Sequence, residues 1–207
     1  MTSPLLVWLT IQFIALLVAL LRVPLAAGYP QPAELLAAHV VVLTQIITSA
    51  LLFPFLLRDL LSGLTVVATA WPFVALAGVT SGAPPARVVA GCCYVTSWLL
   101  ALSLWNGWGR RAAGLRGVAV ATMLTAGTNV LFYLRLEFAP DAGGSAEELA
   151  RRWSVISPPL AAIRQLGVAP AARDFGVPVA IAIAAVVCRL FARRSDQVIH
   201  SSRTIPE

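Results

Sequence analysis

The residues of this chain that are able to do chemistry are few, and they sit inside long apolar stretches. Thr44, Gln45, Thr48 and Ser49 share one run, and Thr122, Thr125, Thr128 and Asn129 share another. On a helix each set gathers hydroxyl and amide groups that can hydrogen-bond across a helix contact. Two readings stay open. These groups are structural glue, or they line a polar translocation seam, because a polar group in lipid is costly unless it faces the bundle interior or water. In the second reading the seam is Gln45, Thr48, Thr125 and Asn129.

His39 invites a haem or quinone reading, but a membrane cytochrome needs facing axial ligands and the other histidine, His200, lies in the C-terminal tail. The simpler expectation is a histidine near a helix end that bonds a neighbouring helix or water. Cys92, Cys93 and Cys188 all fall in apolar runs, where thiols pack as small residues, and their spacing fits neither a metal site nor a disulfide framework. Arg135 and Glu137, like Arg58 and Asp59, read as charges at helix boundaries that pair locally. No Ser-His-Asp set, glycine-rich phosphate loop, zinc-binding helix or paired membrane aspartates can be assembled, so no catalytic residue, cofactor site or metal site is expected.

The elements that position these residues follow from composition. Of 207 residues 59% are hydrophobic and only 12% are charged, and mean hydropathy is +0.84. The charges gather between apolar runs long enough to cross a hydrocarbon core of roughly 30 Å, and lipid leaves no partner for open backbone, so the runs must be helices. The expected fold is all-α, a single polytopic transmembrane bundle over 1–207 with about six spans at 5–27, 34–57, 60–79, 87–105, 118–134 and 175–191. The first run resembles a signal peptide at Pro24-Leu25-Ala26-Ala27-Gly28. Its core is long, it lacks a basic residue ahead of it, and Arg22 lies within it, so it reads as a retained first helix.

The net charge of +6 comes from fifteen arginines and no lysine. They do not form a stripe with interleaved aromatics, which argues against a nucleic-acid partner. They sit at the ends of the runs, where the positive-inside rule and the lipid bilayer account for them. Arg58, the cluster Arg110, Arg111 and Arg116, and the group Arg189, Arg193, Arg194 and Arg203 fall on one side. That side is expected to be cytoplasmic, with both termini on it.

The connection from Glu137 to Asp174 is the most distinctive stretch. Ser145 with Glu148 three residues on reads as a capping box that opens a helix. Leu149, Trp153, Ile156, Leu160 and Ile163 recur at spacings of three and four, with a break at Pro158-Pro159. Arg151, Arg152, Arg164 and Gln165 take the other face. Two short amphipathic helices over about 145–167 are therefore expected, lying in the membrane interface or tucked partly into the bundle, with a solvated loop helix as the alternative.

Three stretches carry a family resemblance. Gln45-Ile46-Ile47-Thr48-Ser49-Ala50-Leu51-Leu52-Phe53-Pro54 looks like a proline-bearing second helix, Pro72 to Arg111 looks like a third and fourth helix ending in an arginine pair, and Ile156-Ser157-Pro158-Pro159-Leu160 looks like an S-P-L element before the last helix. With short helices between the fifth and sixth spans, the pattern resembles the membrane subunit of ABC transporters of the type-2 permease class. That resemblance implies a six-helix subunit in the inner (cytoplasmic) membrane, pairing with itself or a similar permease and energised by a separate nucleotide-binding ATPase subunit. It also implies that the short helices form an outer gate, with Trp153, Ile156 and Leu160 the residues that carry it. The family usually has a longer segment between helices two and three for docking the ATPase, where this chain has only Arg58-Asp59-Leu60-Leu61-Ser62-Gly63. The alternative is a non-transporting assembly or anchor subunit. A membrane enzyme acting on lipid finds no acid, base or metal set to support it.

Overall fold

The computed structural model of the chain describes residues 3–25, 36–57, 60–80, 82–106, 111–138, 146–166 and 172–187, and every regular element among them is helical. Four helices are long and apolar enough to cross a membrane: α1 (Pro4–Leu25), α2 (Leu36–Leu56), α3 (Leu60–Thr80) and α4 (Pro85–Asn106). At about 1.5 Å per residue each matches the roughly 30 Å of a hydrocarbon core. Next, α5 (Arg111–Thr122), a π-helical turn (Met123–Gly127) and α6 (Thr128–Phe138) run on as one helix, whose apolar stretch Gly117–Phe132 is shorter than the first four. Two short helices follow, α7 (Ala146–Trp153) and α8 (Pro158–Leu166). A 3-10 turn (Ala172–Phe175) then leads directly into α9 (176–187). Of the six expected spans, the described residues thus hold four of full spanning length. The fifth is a shorter apolar stretch, and the sixth is described only as far as residue 187.

The sequence dictates the tight α3–α4 hairpin. Gly82 adopts a left-handed φ of 71°, which a residue with a Cβ rarely takes. Its N–H bonds to the Val79 carbonyl at 3.1 Å while the Ala83 N–H reaches the Gly78 carbonyl at 2.9 Å. This paired closure satisfies carbonyls that a helix end would leave orphaned. Pro85 then stands at the first position of α4, where a missing N–H costs nothing. The two helices approach so closely that a Cβ on Gly78 would clash with Val88 Cγ2.

At the opposite end Pro54 lies inside the last turns of α2. Asn106, the last residue of α4, donates from Nδ2 to the carbonyls of Phe53, Pro54 and Leu57 at 3.3, 3.3 and 2.9 Å. One amide so ties the C-terminal ends of α2 and α4 together. With α3 returning between them, α2 and α4 run parallel, and their N-terminal halves lie side by side at the far end.

Packing is arranged for a bundle in lipid. Leu6, Phe13, Ile14, Leu17 and Leu21 of α1 are exposed, as are Leu61 and Val79 of α3, while Gln12, Gln45, Ser49 and Thr125 are buried. Apolar residues outward and amides inward is the reverse of the pattern water imposes. The core is built from Trp8, Ile46, Phe53, Tyr94, Trp98 and Leu99.

Candidate functional site

The buried polar groups fall into two sets. The first joins the long helices. Gln12 of α1 donates to Thr48 Oγ1 of α2 at 3.0 Å, and Gln45 donates across to the Ala70 carbonyl of α3 at 3.0 Å. Trp98 Nε1 of α4 reaches Ser49 Oγ at 3.1 Å. In this arrangement the Gln45 amide N–H, the Thr48 hydroxyl and the Ser49 hydroxyl are engaged in helix contacts. Such bonds between membrane helices contribute about 0.6 kcal/mol on average.

The second set lies where α8 packs into the groove between the N-terminal halves of α2 and α4. Pro158, Pro159, Ala161, Ala162 and Leu166 are buried there. Gly91 of α4 makes the seat, because a Cβ at that position would stand 2.6 Å from Leu166 Cδ2. On the α2 wall the His39 imidazole meets the Ile163 backbone. On the α4 wall the Tyr94 ring packs on Phe175 with centroids 5.4 Å apart.

Above this seat stands Asp174, with no exposed surface. Its Oδ1 accepts from Ser154 Oγ at 2.9 Å and from Arg164 at 2.9 Å, and its Oδ2 accepts from Gln165 Nε2 at 3.1 Å. Arg164 also donates to Ser154 Oγ at 2.8 Å, and Arg173 Nε is 3.9 Å from the same carboxylate oxygen. A buried carboxylate survives only when it is paired and hydrogen-bonded, and here one acid gathers the turn after α7, the end of α8 and the start of α9.

The face assignment for α8 is thereby corrected. Arg164 and Gln165, expected on the outer polar face, point inward because Asp174 supplies the counter-charge that makes their burial tolerable. Arg151 and Arg152 do face outward, sharing Glu148 at 4.0 and 2.7 Å. Of the expected gate residues, Trp153 packs on Phe132 of α6 with centroids 6.2 Å apart. Leu160 is half-buried, and Ile156 is 49% exposed.

Of the expected seam residues, Thr125 lies in the π turn and donates to the Ala121 carbonyl at 2.9 Å. Asn129 one turn on donates to the Thr125 carbonyl at 2.7 Å and accepts from Ser157 Oγ at 3.4 Å. Thr125 and Asn129 therefore connect to the α7–α8 turn, whereas Gln45 and Thr48 connect to α1 and α3. Among the described residues no hydrogen bond joins the two pairs. Ser145 of the capping box, Cys188, His200 and the loop arginines at 58, 110, 189, 193, 194 and 203 lie outside the described residues.

No family model, curated protein or solved structure matches this chain.

Proposed function

We propose that this chain is the membrane-spanning permease subunit of an ABC-type transporter, energised by a separate cytoplasmic ATPase. The observation that supports it is the α7–α8 pair, a short polar-edged unit seated in the groove between α2 and α4 and fastened by one carboxylate. Besides the apolar side chains of α8, this pair covers the buried Asp174 carboxylate with its part-buried partner Arg164, and an ion pair seated in a membrane bundle is costly enough to mark function. In this reading the groove end faces outward, the α7–α8 pair caps the outer mouth, and two bundles, of this chain or of this chain and a similar permease, rearrange around a central seam. The cap residues Trp153, Ile156 and Leu160 sit over that mouth, and Gln45, Thr48, Thr125 and Asn129 contribute the seam.

A second reading has its own support. The bonds from Gln12, Gln45 and Trp98 hold the long helices together, as a membrane assembly or anchor subunit would require. Affinity purification of the tagged chain in mild detergent, with mass spectrometry of what accompanies it, separates the two. A stoichiometric nucleotide-binding ATPase supports the permease; reproducible recovery of other membrane subunits alone supports the anchor.

A further inference from the structure

We propose that Asp174 is a latch: it holds the α7–α8 pair in the groove between α2 and α4, and loss of its bonds lets the pair lift away as one unit. The meaning of that motion as a gate rests on the permease reading; the motion itself does not.

Three features carry the inference. First, the pair is a unit. The Ile156 and Ser157 N–H groups both return to the Trp153 carbonyl at 3.1 and 2.9 Å, and the Ala161 N–H bonds to the Ser157 carbonyl at 2.9 Å. The turn between α7 and α8 is therefore closed by its own backbone. Second, three bonds from this unit converge on one acid. Ser154, Arg164 and Gln165 all converge on Asp174, whereas the attachment to α6 is the 3.4 Å bond from Ser157 to Asn129 and the contact of Trp153 with Phe132. The seat on α4 is apolar contact of Leu166 over Gly91.

Third, the walls of the groove carry polar atoms that water could serve once the pair is lifted: His39 Nε2 and Tyr94 Oη are buried and bond to no protein atom. Hydration of these atoms lowers the cost of the lifted position. The Asp174 bonds hold the seated position against it, which is the balance a two-position element needs. Asp174 acts here as a positioning residue.

The test reads exposure of the seat and needs neither cargo nor ATPase. In a chain with Cys92, Cys93 and Cys188 replaced by alanine, the buried Ser157 is changed to cysteine, and its labelling by a sulfonated, membrane-impermeant maleimide is timed in lipid nanodiscs. Asp174→Asn is expected to speed labelling by about tenfold or more, since removing one partner of a buried ion pair is strongly destabilising. Arg152→Gln, which alters only the exposed pair with Glu148, is expected to leave it unchanged. An unchanged rate in folded Asp174→Asn protein overturns the proposal and makes the pair a fixed part of the bundle. If Asp174→Asn does not yield a monodisperse protein, Ser154→Ala and Gln165→Leu carry the same test. Each removes one bond to the acid and is expected to speed labelling about threefold, and no change in either overturns the latch. Faster labelling in a chain that recovers no ATPase would keep the latch and discard the permease.

Discussion

Gly91 of α4 and Leu166 of α8 meet so closely that a methyl group on Gly91 would stand 2.6 Å from Leu166 Cδ2 and 3.1 Å from its Cγ. The contact brings the chain's fourth long helix against a short helix far downstream in sequence, and it fixes how deeply α8 sits. Gly91→Ala must push the leucine aside, and overpacking of this kind costs about 1–3 kcal/mol. A lowered unfolding temperature in detergent is expected for Gly91→Ala. Leu166→Ala in the same chain should restore part of the loss, because the added methyl then has room. Additive losses in the double variant would show that the two residues do not share a seat.

The Arg164–Asp174 pair makes a prediction about charge. Arg164→Gln leaves the buried Asp174 with only Arg173 at 3.9 Å and is expected to cost up to about 3–5 kcal/mol, Asp174→Asn leaves a partly exposed Arg164 and is expected to cost less, and the double change costs less than the sum. Equilibrium unfolding in mixed micelles reads all three. A pair that merely sat near the surface would give small, additive effects.

Asn106 supplies the opposite end of the bundle. Its amide serves three carbonyls at the end of α2, two of them beside Pro54. Asn106→Ala leaves these acceptors without that donor, at an expected cost of about 1–3 kcal/mol. Asn106→Asp should be worse than alanine, because a carboxylate would face carbonyl oxygens. Equal stability of Asp and Asn at this position would remove the amide from the account.

The polar residues of the long helices divide by a single comparison. Gln45→Leu removes the bond to the Ala70 carbonyl, and Asn129→Leu removes both the bond back to the Thr125 carbonyl of the π turn and the bond from Ser157 that joins α6 to the α7–α8 turn. As glue alone, each should lower stability by about 0.6–2 kcal/mol. As seam residues, each should also change transport or assembly in variants that remain folded. If transport and assembly are untouched in both, these two residues are packing residues.

Much of the architecture was legible in the sequence because lipid imposes a simple rule: apolar runs of spanning length become helices. The α3–α4 break was legible too, between the expected spans ending at 79 and starting at 87, although α4 begins two residues earlier, at Pro85. The two short helices followed from spacing and from Pro158-Pro159. What periodicity could not give was the direction of α8. Arg164 and Gln165 are polar, and a helical wheel turns polar residues outward unless an inward partner is known. That partner is Asp174, ten residues beyond Arg164 and nine beyond Gln165, and it reads in the sequence as an ordinary boundary acid. The available signal was that an arginine and an aspartate flank one short link in a chain with few charges. Tyr94 was missed for the same reason, since one tyrosine in an apolar helix gives no sign that its ring packs on Phe175 beside the acid.

Whether this bundle works with an energy source is decided by ATP hydrolysis in the purified assembly, measured in lipid nanodiscs after affinity capture through this chain. A permease subunit should bring down hydrolysis well above that of a mock purification, and the activity should disappear when the chain is omitted from the capture. Stoichiometric recovery of membrane subunits with no hydrolysis above the mock would contradict the permease and leave the chain as an anchor.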